Sequence, residues 1–561
     1  MKDKRYHYLV YLFIFYTLLG IIGTYPLVFH FTDHFFENQM SGGFAGCDTL
    51  QTYFYFWLFK HDIREGIAPT CNDYEFAINS YQALVGLKGF PLTPLFFVLS
   101  FFGDIFAYNA LIILSFSFSG LGMYLLVEFL TRNRYSGLIA GTFYAMAPFR
   151  VGEIIVYGHI GGFIALFLPY IVYFYEKSLI KKDTRAMLWA GICILMVSFS
   201  EWHIMYYTLL FTILYLPFKL YQLDKNLSID AKIKRYLGIF TILSIFIILS
   251  VGYIMYNKYF GAGLKEFGGW GLDYIKRLSP PLIYFFLNDS MNECYLSIVT
   301  LTLIATVLIY PRKLPRNPEI WFYTLIFVGS AVLALGPAFP SHPLSLYGLF
   351  YEFLPFFNHF RSPLRVLIIT AFALSVLLGF AIDKICRFGR NAPKRDIQVF
   401  MSILMIFLIV DLSMAPVKLT PSDENNRAYK MIKNDPRDIK ILEIPILPGE
   451  HSVASVYEYY ITVHEKRIIN GYHPFPPEGY SRIYKELRGL NRGKINNTQY
   501  LILKELNVGY VVVHENLFEY LGMEENVTTC ISNLLKSQYL DFVGKDNRVW
   551  LFEVRYYNET K

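Results

Sequence analysis

Apolar runs of about 18 or more residues recur along most of this chain, each long enough as a helix to cross the roughly 30 Å hydrocarbon layer of a bilayer. Run length predicts about eleven spans, near residues 8–27, 106–130, 135–149, 161–178, 185–201, 203–219, 235–256, 294–311, 319–336, 363–384 and 397–414. The stretch Phe90–Phe102 is apolar but short and broken by Pro91 and Pro94, which fits an interfacial or re-entrant helix. Between the first span and that helix runs a loop, residues 26–91, far longer than most connections need. It contains Gly46-Cys47-Asp48-Thr49-Leu50 and then an aromatic helix through Trp57 and Phe59, whose composition suits the headgroup layer. After Ala415-Pro416 the pattern changes to mixed, charged sequence. Strands are expected at 439–444, 509–514 and 548–554, with helices at 480–490 and 498–506 between them. The expected fold class is an α-helical polytopic membrane protein, domain 1–415, with a C-terminal extracytoplasmic α/β domain, 416–561.

Composition agrees. A chain of 561 residues that is 54% hydrophobic, 18% aromatic and only 17% charged is too apolar for a soluble protein. Its net charge of +7 falls into short clusters between apolar runs and forms no single basic patch, which excludes a nucleic-acid partner. Those clusters orient the spans instead. Arg132/Arg134, Lys177 to Arg185, Lys219 to Arg235, Arg312 to Arg316 and Lys384 to Arg395 occupy alternate loops, so these loops and the N-terminus are expected in the cytoplasm. The long first loop, the loops near 150–160, 257–293 and 337–362, and the C-terminus then lie outside. The first apolar run lacks a small-x-small cleavage site and reads as a retained span in the cell membrane. Cys47 and Cys71 share the first loop and stand there either as a bridge or as two free thiols.

Ionisable residues at the outer ends of spans are the candidates for chemistry, because burial near a bilayer is tolerated mainly where a cavity or partner exists. They are Asp33 and His34, Asp48, Asp73 and Glu75, Glu153 and His159, Glu201 and His203, His342, His359, Arg361 and Arg365. Asp48 is a solvated acid, a helix N-cap or a carboxylate base. Asp33-His34 suits a metal or a sugar hydroxyl, and a divalent metal cofactor stays open. His159 stands in Gly158-His159-Ile160-Gly161-Gly162, whose glycines permit close backbone approach. Glu201-Trp202-His203 either makes an outer hairpin polar or faces a site. In Arg361-Ser362-Pro363-Leu364-Arg365, Ser-Pro marks a helix start, and two arginines beside its N-terminus suit an anion such as phosphate, or lipid headgroups.

The order of these pieces resembles the GT-C class of polytopic glycosyltransferases, and more closely the YfhO-like, 6-pyruvoyl-tetrahydropterin-synthase-related membrane proteins. The matching residues are Thr24-Tyr25-Pro26-Leu27, Asp48 with its aromatic helix, Gly66-Ile67-Ala68-Pro69, Gly158-His159, the Arg361 to Arg365 run and Ile469-Asn470-Gly471-Tyr472. The resemblance implies transfer of a sugar from a polyprenyl-phosphate-linked donor to a glycan, lipid or protein acceptor on the outer face, of inverting hexosyltransferase type. It implies Asp48 as the base. The chain lacks an Asp-x-Asp or Asp-Glu pair there, which leaves metal dependence open. Two other classes remain, a non-catalytic scaffold or assembly protein and a lipid-linked-sugar transporter, although the latter would be expected to carry ionisable residues near mid-span.

Overall fold

The computed structural model describes residues 2–37, 48–67, 71–78, 83–84, 89, 91–181, 183–223, 243, 245–253, 268–289, 292–309, 317–339, 345–389, 393–474 and 476–556. Cys47, and with it the proposed bridge to Cys71, lies outside these residues, as does His342. The protein is mostly helical. Among the described residues six helices are long and apolar enough to cross a membrane, Tyr6–Gly23, Asp104–Thr131, Arg134–Ile155, Ile160–Lys181, Trp202–Leu223 and Pro363–Phe388. Four shorter apolar helices accompany them, Thr93–Phe102, Thr184–Ser200, Ile298–Val307 and Pro318–Ala334.

Local sequence explains the breaks. The span expected at 135–149 instead turns at Met146-Ala147 and resumes as Pro148–Ile155, because proline suits a first helical turn but not an interior. Asn133 caps the preceding helix, its side chain accepting from the Tyr135 and Ser136 amides. Glu201 separates helix Thr184–Ser200 from helix Trp202–Leu223, its backbone extended at φ −148° and ψ 102°. Further along, a buried ion cluster joins helices from three parts of the chain, with Lys219 Nζ 2.8 Å from Glu176 and also paired with Glu319.

The aromatic helix, Asp48–Glu65, departs from expectation. Every side chain from Thr49 to Lys60 is buried, so these residues face protein and not lipid headgroups. Its rings meet protein rings on two sides. Phe56 stacks on Phe96 at 5.3 Å, Tyr53 packs edge-on to Tyr108 at 5.8 Å, and Tyr53 also meets Tyr459 at 6.1 Å. Such pairs contribute about 0.5–1.5 kcal/mol each beyond area burial, so a helix this aromatic is better satisfied by ring partners than by lipid. Lys60, paired with Asp104, ties its far end to the start of the second long span.

The segment after residue 415 first pairs strand Leu419–Pro421 antiparallel to His34–Phe36, just beyond the first span. It then builds a five-stranded sheet in the order Arg467–Ile468, Lys440–Ile444, Val508–His514, Val549–Val554, Leu540–Asp546. The first two pairings are parallel and the last two antiparallel. Helix Ser455–His464 of this segment lies against the aromatic helix, where Gln51 Nε2 donates to Glu458 Oε1 at 3.1 Å and to the Tyr472 carbonyl at 2.9 Å. The aromatic helix is therefore the layer between the membrane helices and the sheet.

Candidate active site

Three parts of the chain meet at the first turn of the aromatic helix. Gly158, at φ +71°, comes so close that a Cβ there would stand 2.3 Å from the backbone of Thr49, and Thr52 Oγ1 donates to its carbonyl at 2.7 Å. Only glycine permits this approach, and it delivers His159 onto the helix start. His159 Nε2 is 2.6 Å from Asp48 Oδ2, and its Nδ1 is 3.0 Å from Glu153 Oε2. From the far side Tyr472 OH donates to Asp48 Oδ1 at 3.0 Å. Asp48 is thus turned toward partners and does not act as a mere helix cap.

The electrostatics follow from these contacts. Burial by itself would raise the Asp48 carboxyl, but the hydrogen bond and charge of His159, the Tyr472 hydroxyl and the Arg365 charge hold it below its usual value. Burial opposes the charge on His159 as well, yet Glu153 and the hydrogen bond to Asp48 raise it to about 10. An imidazolium between two carboxylates is the consequence. Behind it, Glu293 is buried and pushed up to about 8 by desolvation and by Glu153.

Asp48 opens onto a cavity of about 220 Å³. Gln51, Thr52 and Tyr55 continue its wall along the aromatic helix, and Tyr472 with Pro474 closes it from the sheet segment. Glu201, Trp202 and His203 enter from the break between two membrane helices, and Trp270, His359, Arg361 and Arg365 complete the lining. Arg365 Nη1 is 3.1 Å from Glu201 Oε1, and Glu201 also bonds His203. Arg361 lies over the Trp270 ring at 5.7 Å and pairs with no carboxylate among the described residues. Ser362 stands at the N-cap position as expected, but its side chain makes no cap bond and the first turn is 3-10, Pro363–Val366.

The arrangement sorts the sequence candidates. Asp48, His159, Glu201, His203, His359, Arg361 and Arg365 share the cavity lining. Glu153 acts on His159 from behind, and Glu75 is turned away, its carboxylate accepting from Asn72 at 2.7 Å and from the Tyr472 amide at 3.0 Å. Asp33 and His34 are not part of the lining. A divalent cation at Asp48 fits these donors poorly, because Asp48 and Glu201 are each already tied to a cationic side chain. Tyr472, Trp270 and Glu293 have no site role in the sequence reading. The Ile469 to Tyr472 run stood in the sequence without a role, and only the packing of the sheet segment gives it one.

The sequence matches no family model and no curated protein. In fold it is similar to the arabinofuranosyltransferase AftD from Mycobacteria, at TM-score 0.60 and 11% identity, over 98% of this chain and 40% of that one. It therefore spans well under half of that protein's length. The apo oligosaccharyltransferase of Archaeoglobus fulgidus gives TM-score 0.47 at 13% identity over 96% of this chain and 73% of that one. ArnT from Cupriavidus metallidurans, bound to undecaprenyl phosphate, gives 0.45 at 10% identity over 98% of both chains. This chain therefore shares the fold of AftD and, with helices long and apolar enough to cross a bilayer, is a membrane protein.

Proposed function

We propose that this protein is a membrane glycosyltransferase that moves a sugar from a polyprenyl-phosphate-linked donor to an acceptor hydroxyl on the outer face. The observation that carries this reading is a single cavity with an ionised acid on one wall and two arginines on another. In this reading the donor phosphate lies against Arg361 and Arg365, and the aromatic rings of Trp202 and Trp270 flank the sugar. Asp48 takes the acceptor proton, the acceptor oxygen attacks the anomeric carbon, and the C–O bond to phosphate breaks with its electron pair leaving on polyprenyl phosphate. Each Asp48 oxygen accepts one hydrogen bond and retains a lone pair for that proton. Arg365 is partly neutralised by Glu201, so Arg361 supplies the charge that an incoming phosphate balances.

The lysine and arginine clusters support an orientation with the N-terminus inside, about eleven spans, and residues 416–561 outside as an α/β domain. A reporter fused after Lys561 should respond as an outside tag. The decisive assay incubates purified protein with a panel of polyprenyl-phosphate sugars and measures release of polyprenyl phosphate that depends on acceptor and on Asp48. Carrier binding without any such release, in protein shown to be folded, would leave a binding or scaffold role in its place.

A further inference from the structure

One group of donors lies outside the cavity and takes no part in the chemistry above. The first span ends at Gly23, a 3-10 turn follows at Leu27–Phe29, and strand His34–Phe36 begins five residues later. In this stretch one ligand atom each from His30, Asp33 and His34 lies within 4.8 Å of the others. The two imidazole centroids are 4.2 Å apart, and His34 Nδ1 is 2.8 Å from Asp33 Oδ1. In sequence these donors are spaced His-x-x-Asp-His.

The backbone that presents these donors is held from three directions. Asn109 Nδ2 donates to the carbonyls of Phe31 and His34, at 3.0 Å each. The Ser422 amide donates to the Asp33 carbonyl at 2.7 Å, and His34–Phe36 pairs in register with Leu419–Pro421. The donors therefore stand on fixed main chain and need only side-chain rotation to converge. Among the described residues the His30 ring makes no hydrogen bond. Two imidazoles this close repel each other if both are charged, whereas two neutral imidazoles and one carboxylate give two nitrogens and one oxygen. That set, completed by water, is the ligand type of a four-coordinate zinc-class ion, with bond lengths of about 2.0–2.2 Å.

The geometry points to a structural site for a zinc-class divalent cation at His30, Asp33 and His34, one that stiffens the turn on which strand Leu419–Pro421 is paired. It is separate from the catalytic reading and holds or fails whether or not sugar transfer is found. The cation would fix the joint where the chain leaves its first span and where it enters the segment carrying Tyr472.

The test uses the full chain in detergent, without a polyhistidine tag, loaded with Zn²⁺ or Co²⁺ and desalted before elemental analysis. One retained metal per chain is expected, with a visible Co²⁺ ligand-field spectrum that is lost in the His30→Gln/His34→Gln double variant and strongly reduced in Asp33→Asn. Zn²⁺ should raise the Tm of the wild type and leave the double variant unmoved. Folded wild type that retains no stoichiometric metal would overturn the site, and so would variants that retain as much as wild type. Should the double variant fail to fold, His34→Gln alone decides, because it keeps the strand's main-chain pairing and removes one ligand.

Discussion

Two clusters of polar groups, one half-buried at the cavity and one buried inside the sheet segment, are built from nearly the same parts. In the sheet, His514 Nε2 is 2.9 Å from Glu443 Oε2, and Tyr429 OH lies 3.0 and 3.1 Å from the two Glu443 oxygens. Tyr460 stacks on Tyr429 at 4.0 Å, and Glu443 and His514 are both wholly buried. At the cavity an acid, an imidazole and a tyrosine also converge, at Asp48, His159 and Tyr472. The difference is what lies beyond. The sheet cluster is closed on every side by protein, whereas Asp48 faces open space that Arg361 and Arg365 also face. Carboxylate, histidine and tyrosine together do not make a site; a cavity bringing a second, opposite charge within a substrate's length does.

The largest effect expected from this contrast is on turnover. Asp48→Asn should fold and insert normally and lose about 10²–10⁴-fold in sugar transfer, because the amide keeps the shape but not the basicity. Near-full transfer by that variant in the release assay would remove Asp48 as base and erase the distinction between the clusters. Next, Arg365→Ala should weaken binding of polyprenyl phosphate by roughly 1.5–3 kcal/mol, the range for a hydrogen bond to a charged group. Arg361→Ala should weaken it similarly, and titration calorimetry reads both. Carrier binding unchanged in both variants would reduce the arginines to headgroup anchors.

For the closed cluster the prediction is reversed. Replacing Glu443 by Gln should cost about 1–3 kcal/mol of stability, seen as a lower melting temperature, while turnover per folded molecule stays at the wild-type level. A loss of turnover without a loss of stability would mean that this cluster, too, serves the chemistry. The smallest expected effect is in pH dependence. The His159 pKa is raised by folding to about 10, so its stabilisation is complete below about 6.5 and is lost as pH rises through about 10. Asp48, lowered by folding, contributes stability above its ordinary range that is lost as pH falls through its depressed value. Melting curves across alkaline pH should therefore fall more steeply for wild type than for His159→Gln; parallel curves would show that the imidazolium is not held as its contacts imply.

Six of the expected spans were legible because a bilayer writes its thickness into run length, and Pro148 accounts for the misplaced end near 149. The aromatic helix was legible as a helix but not in its surroundings, since the same Phe, Tyr and Trp content suits headgroups or ring partners. Asp48, His159 and Arg365 stood out as ionisable groups at outer ends of spans. That they share a cavity depends on the Gly158 contact and on the break at Glu201, and neither has a periodicity to read. Glu75 and Glu153 shared that signal and instead hold the Tyr472 main chain and His159, because local sequence marks where polar groups are and not what they meet.

The hydrogen bond from Tyr472 to Asp48 joins residues 424 positions apart. A ribosome that has delivered the six long membrane helices described above has still not made the tyrosine that completes the cavity. Under the reading above, the half-made protein meets its lipid-linked substrate in the same bilayer before it is able to use it, and competence arrives only when the segment carrying Tyr472 has emerged and settled onto the aromatic helix. Under that same reading, a product truncated before Tyr472 would be inserted yet inert.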